Sequence, residues 1–137
     1  MQRFKDKVVI VTGAAQGIGK ACALRFAREG GSVMIADRAE EQALLVQQQI
    51  RDAGGIAEIC MADLETSAGA KKVMRATIDA FGRIDISVHN VGGTIWAKPF
   101  WEYPEEQIEK EINRSLWPTL WCCRAVIPYM VEQKSGA

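Results

Sequence analysis

A chain of 137 residues has room for one domain, and folding at that size hides roughly two thirds of the unfolded surface. With 48% hydrophobic and 25% charged residues, 12 glycines and 4 prolines, the composition excludes a disordered tail and a collagen-like fibre. Seventeen Lys plus Arg balance 17 Asp plus Glu, so the chain offers no basic footprint to nucleic acid or to an anionic membrane.

The first strand is expected at Lys7 to Thr12, a β-branched run ending at Gly13, as a strand buried on both faces should. Ile18, Cys22 and Phe26 then fall four apart, predicting a helix from Gly17 to Glu29 that ends at Gly30-Gly31. Ser32 to Ala36 reads as a second strand closing at Asp37-Arg38. Ala43, Val46, Ile50 and Ala53 mark a solvent-backed helix that Gly54-Gly55 breaks. A third strand follows at Ile56 to Met61, ending at Asp63. Val73, Met74, Thr77, Ile78 and Phe81 stripe a third helix, and Ile84 to His89 makes a fourth strand.

Strands joined through helices imply right-handed crossovers and a parallel sheet covered on both sides, so the fold class is α/β. Val91 to Pro104 is a loop rich in glycine and aromatics. Ile108, Ile112, Leu116, Leu120 and Cys123 resume helical spacing, predicting one long closing helix bent near Pro118. No repeat or linker divides residues 1–137, which read as a single domain. No window of about 18 apolar residues exists and no apolar signal region precedes the first strand, so the expected location is cytoplasmic. Cys22, Cys60, Cys122 and Cys123 lack metal-ligand spacing and read as buried thiols.

The chemistry concentrates at strand ends. Gly13, Gly17 and Gly19 form a GxxxGxG turn between the first strand and the first helix. There bare backbone can approach a pyrophosphate, and the helix N-terminus supplies unpaired amides and the positive end of its dipole. Asp37 follows Gly19 by 18 residues, close to the offset at which an acid takes a ribose hydroxyl. A carboxylate there repels a 2′-phosphate and favours NAD over NADP, while the neighbouring Arg38 is a guanidinium able to hold such a phosphate.

With Asp63-Leu64 after the third strand and His89-Asn90-Val91-Gly92 after the fourth, these motifs resemble those of the short-chain dehydrogenase/reductase family. The resemblance runs from Lys7 to the last helix. It implies a Rossmann-like doubly wound sheet with strand order 3-2-1-4, incomplete on its C-terminal side and leaving the fourth strand as an open apolar edge. It also implies that Gly13, Gly17, Ile18 and Gly19 meet the pyrophosphate of NAD, with Gln16 among the cofactor-binding residues. Asp37 would then hold the adenosine ribose, Asp63 and Leu64 the adenine, and Asn90 with Gly92 the adjoining backbone and ribose. His89 replaces the first Asn of the family's NNAG and is given no chemical role.

Val88 to Met130 resembles the benzoate cis-diol dehydrogenases of that family, which oxidise a dihydroxycyclohexadiene carboxylate with NAD to a catechol and carbon dioxide. Counting back from Pro128, Ser115 occupies the position of the family's helix Asn. Trp117 and Trp121, four apart, read as core or as an interface, since this helix in the family often packs on a second subunit of a homo-oligomer.

Removing a hydroxyl proton calls for a base, and an unaided phenol with a pKa of about 10 stays protonated at neutral pH. The family answers with a serine and YxxxK, in which the lysine depresses the phenol's pKa. Here Gln107 follows Tyr103 and Gln133 follows Tyr129 at that spacing. Lys134, five residues beyond Tyr129, lies about 140° away around a helix. The chain therefore reads as the cofactor-binding half of a dehydrogenase of about 250 residues, without catalytic residues of its own. The alternatives are a truncated, inactive NAD-binding module and a Rossmann domain for another adenosine ligand such as S-adenosylmethionine.

Overall fold

The computed structural model describes residues 2–137. In chain order the elements are β1 (Val8–Thr12), α1 (Gly17–Arg28), β2 (Ser32–Asp37), α2 (Glu40–Asp52), β3 (Ile56–Met61), α3 (Ser67–Phe81), β4 (Ile86–Val88), a 3-10 turn (Phe100–Glu102), α4 (Glu105–Ser115) and α5 (Trp117–Gln133). All pairings are parallel and the order is β3-β2-β1-β4, the expected α/β sheet.

The continuous apolar runs of β1 and β2 are explained by two cores. Val9, Val11, Val33 and Ile35 face Ala23 and Ala27 of α1 and Ala43, Val46 and Ile50 of α2. Their alternates, Ile10, Met34 and Ala36, face Val73 and Met74 of α3 and Cys122 and Val126 of α5. A strand with apolar residues on both faces shows no alternation, because neither face meets water.

Several boundaries differ from expectation, each for a local reason. β4 begins at Ile86, not Ile84, because the Asp85 carboxylate, at 2.9 Å, accepts the Val8 N–H that a ladder carbonyl would otherwise take. It stops at Val88 because the Thr12 hydroxyl, buried at the end of β1, accepts the next free amides, Asn90 N at 2.8 Å and Val91 N at 3.3 Å. α3 starts six residues before Val73 at Ser67, where Thr66 Oγ1 accepts the Gly69 amide at 3.0 Å as an N-cap.

The long closing helix is two helices meeting at Leu116. Pro118 has no N–H to give the Arg114 carbonyl and its ring crowds that turn, so the break falls before the proline. Pro128, by contrast, is carried inside α5. The loop before α4 contains the short turn Phe100–Glu102 and is tied to α4, whose Glu111 Oε1 accepts Ile95 N at 2.7 Å and Trp96 N at 3.2 Å.

The β4 edge is less bare and less apolar than expected. Ser87 lies in its middle, and the Ala137 backbone donates to Asp85 O and accepts from Ser87 N, both at 2.9 Å. All four cysteines are free thiols, but only Cys60 and Cys122 are buried; Cys22 and Cys123 are half-buried. Burial raises the Cys60 thiol and, with the neighbouring Cys123, pushes Cys122 up to about 12. No helix among the described residues is long and apolar enough to cross a membrane.

Candidate cofactor site

An open cavity of about 730 Å³ lies at the carboxyl ends of the strands, where the order reverses between β1 and β4. A reversal of that kind is where two crossovers diverge and leave a crevice. Gly13, Gln16, Gly17 and Ile18 line one wall. Gly17 has φ 55°, a left-handed conformation that glycine alone adopts freely, and nothing stands within 4 Å of the place a side chain would take. Gly19 does not line the cavity; it is packed beneath, where a Cβ would fall 2.1 Å from Gly13 O.

The start of α1 carries no side-chain cap and no acidic residue in its first turn. Its leading amides are thus unclaimed donors at the positive end of a helix dipole. α3, capped by Thr66, shows what the alternative looks like.

Asp37, at the end of β2, holds its carboxylate against this turn. Oδ2 accepts Ala15 N at 2.8 Å, while Oδ1 accepts Arg38 N at 2.7 Å and Ala39 N at 3.0 Å. A carboxylate offers about four acceptor positions, so capacity remains for a hydroxyl on the cavity side. Asp63, Leu64 and Glu65 form the opposite wall. The Leu64 side chain is buried in the α3-side core, and Asp63 Oδ1 accepts Glu65 N at 3.0 Å, which sets the turn after β3.

Asn90 lines the cavity and turns its Nδ2 to Gly13 O at 3.2 Å, so it braces the glycine turn from β4. Gly92 lines the far end together with Ser115, whose Oγ accepts Gly93 N at 3.3 Å. His89 stays outside the lining, half-buried with Nδ1 unpartnered, and burial lowers its pKa. Neither tyrosine lines the cavity: the Tyr103 hydroxyl donates to Trp96 O, and Tyr129 packs against the α3-side core. Trp117 and Trp121 stack on each other at 5.1 Å on α5, away from the cavity.

The family model for short chain dehydrogenases matches residues 7–137. The chain belongs to the short-chain dehydrogenase family. Among its curated relatives, 1,6-dihydroxycyclohexa-2,4-diene-1-carboxylate dehydrogenase of Acinetobacter baylyi is 54% identical across 98% of this chain and 51% of its own length. The Pseudomonas putida protein of the same name is 51% identical across 99% of this chain and 50% of its own. The crystal structure of levodione reductase superposes with a TM-score of 0.93 at 28% identity, over 98% of this chain and 53% of that one. This short-chain dehydrogenase chain thus spans about half the length of the curated relatives it matches.

Sequence reasoning did not single out Glu65 or Arg114, which also line the cavity of this family member. The signal for Glu65 was its place two residues after Asp63, in the turn leaving β3. Arg114 lines the cavity from the last turn of α4.

Proposed function

We propose that this chain is the NAD-binding part of a dehydrogenase. The enzyme would oxidise a cis-dihydroxycyclohexadiene carboxylate, a benzoate or toluate cis-diol, to a catechol with loss of carbon dioxide. The observation that carries the cofactor assignment is the uncapped start of α1, whose first residue, Gly17, has no side chain of another residue within 4 Å of its Cβ position. That cradle fits a diphosphate, since Gly13, Gln16, Gly17 and Ile18 line the cavity and the first turn of α1 carries no acidic residue of its own. Asp37 would accept a hydroxyl of the adenosine ribose, and Asp63 with Leu64 would flank the adenine. Asn90 and Gly92 would border the second ribose, with Asn90 also fixing Gly13.

When bound, NAD supplies the hydride acceptor. This chain's residues bind and orient it, and Ser115 holds the Gly93 loop at the reacting end. Proton removal is not assigned to Tyr103 or Tyr129, because neither faces the cavity. The substrate class rests on the two diol carboxylate dehydrogenases that resemble the chain along nearly its whole length. In the full-length form we place the enzyme in the cytoplasm as a homo-oligomer, with the exposed α5 residues Leu120, Ile127 and Val131 against a second subunit.

The second reading is an inactive NAD-binding module. Titration calorimetry with NAD, paired with NADH formation from the benzoate cis-diol, separates the two. NAD binding with turnover in the longest polypeptide the gene encodes supports the enzyme; binding without turnover supports the module. No NAD binding by a folded chain sinks both.

A further inference from the structure

Two guanidiniums line the cavity, and they differ in what they face. Arg114, at the Gly93 end, makes no ion pair among the described residues. Arg38, at the adenosine end, directs Nη1 to Glu65 Oε1 at 3.7 Å, reaching from the end of β2 to the turn after β3. Both partners line the cavity beside Asp37. Their side chains are 63% and 36% exposed, so the pair adds little to stability. What it changes is the charge presented to a ligand.

We propose that Glu65 is a specificity-determining residue that rejects a 2′-phosphate on the adenosine ribose by holding Arg38 away from it. The proposal rests on the dinucleotide reading above. Arg38 lines the Asp37 end of the cavity, and a planar guanidinium is the side chain best suited to grip a phosphomonoester. Such a group carries about −1.5 to −2 charge at neutral pH. Glu65 occupies the guanidinium and adds its carboxylate to those of Asp37 and Asp63 in the cavity lining. Discrimination then arises from an unfavourable element placed against the wrong ligand, not from extra contacts to the right one.

Glu65 also lies in a turn fixed without its side chain. The Asp63 carboxylate takes the Glu65 amide and the Thr66 hydroxyl donates to Asp63 O at 2.9 Å. Its carboxylate is therefore free to act on Arg38 and can be altered without undoing the turn.

The test is a double-mutant cycle on the longest polypeptide the gene encodes, with NAD and NADP affinities from titration calorimetry and folding checked by circular dichroism. Glu65→Gln should tighten NADP about five- to tenfold relative to NAD. Arg38→Gln alone should leave NADP nearly unchanged, and the double variant should lose the gain of Glu65→Gln. An unmoved NADP-to-NAD ratio in Glu65→Gln overturns the inference alone, as does a gain that survives in the double variant. A folded wild-type chain that binds neither dinucleotide overturns the proposed function and this inference with it.

Discussion

Asp37 Oδ2 accepts the amide of Ala15 at 2.8 Å, so the acid closing β2 and the turn leaving β1 form one hydrogen-bonded unit. On the proposed reading this acid would hold the ribose as well as the turn, coupling two parts of the grip on the cofactor. Asp37→Ala should therefore weaken NAD by more than tenfold and also lower stability by about 1–2 kcal/mol through the orphaned amides. Calorimetric affinity and urea unfolding, run on the same variant, check both effects.

Gly17 and Gly19 should respond differently to alanine. At Gly17 the space is open and the backbone is left-handed, so the substitution costs about 1–2 kcal/mol and screens the diphosphate cradle. At Gly19 the new methyl meets the Gly13 carbonyl, and the turn must move. Circular dichroism melts should show Gly19→Ala as the more destabilised of the two.

Acid sensitivity should centre on Glu29. Hydrogen bonds from Arg3 and Arg25 outweigh burial and hold its carboxyl at about 2, below its ordinary 4.5. A carboxyl depressed in the folded state stabilises fully above its unfolded value, and that contribution is lost as pH falls through the folded one. Stability should thus fall from about pH 4.5 toward pH 2, with Asp85 adding to the slope. Burial raises Asp85, but Arg83, the Val8 amide and Lys7 together bring it below its usual value. In Glu29→Gln the melting temperature should drop at neutral pH and vary less across this window.

Produced alone, the 137-residue polypeptide should self-associate or melt at low temperature. Among the described residues β4 is a sheet edge with only Ala137 beside it, and unpaired strand groups invite another chain. Sedimentation at micromolar concentration should show species beyond the monomer. A sharp, reversible melt of a stable monomer would contradict this.

The sheet was legible because its strands are buried on both faces, so Val8 to Thr12, stopped by Gly13, and Ser32 to Ala36, preceded by Gly31, stand out as mainly apolar runs. The ends of β4 were not, since Asp85 and Thr12 replace backbone partners with side chains from distant positions. The helix break at Leu116 was half visible: Pro118 marks the region, but the proline acts on the turn before it. In the cavity, the glycine turn and Asp37 carry spacing that a reader can count. Asn90's hold on Gly13 and Glu65's on Arg38 join residues far apart in the chain and leave no periodic trace.

α4 buries none of its residues, whereas the elements around Asp37 are rooted in a packed core. The two halves of the cleft consequently rest on foundations of unequal stiffness. Amides of α4 and of the loop that Glu111 tethers should exchange hydrogen well before those of β1 and β2. On the proposed reading a dinucleotide would stay moored by its adenosine while the opposite rim swings aside, and a small molecule entering from that side would not have to wait for it to leave.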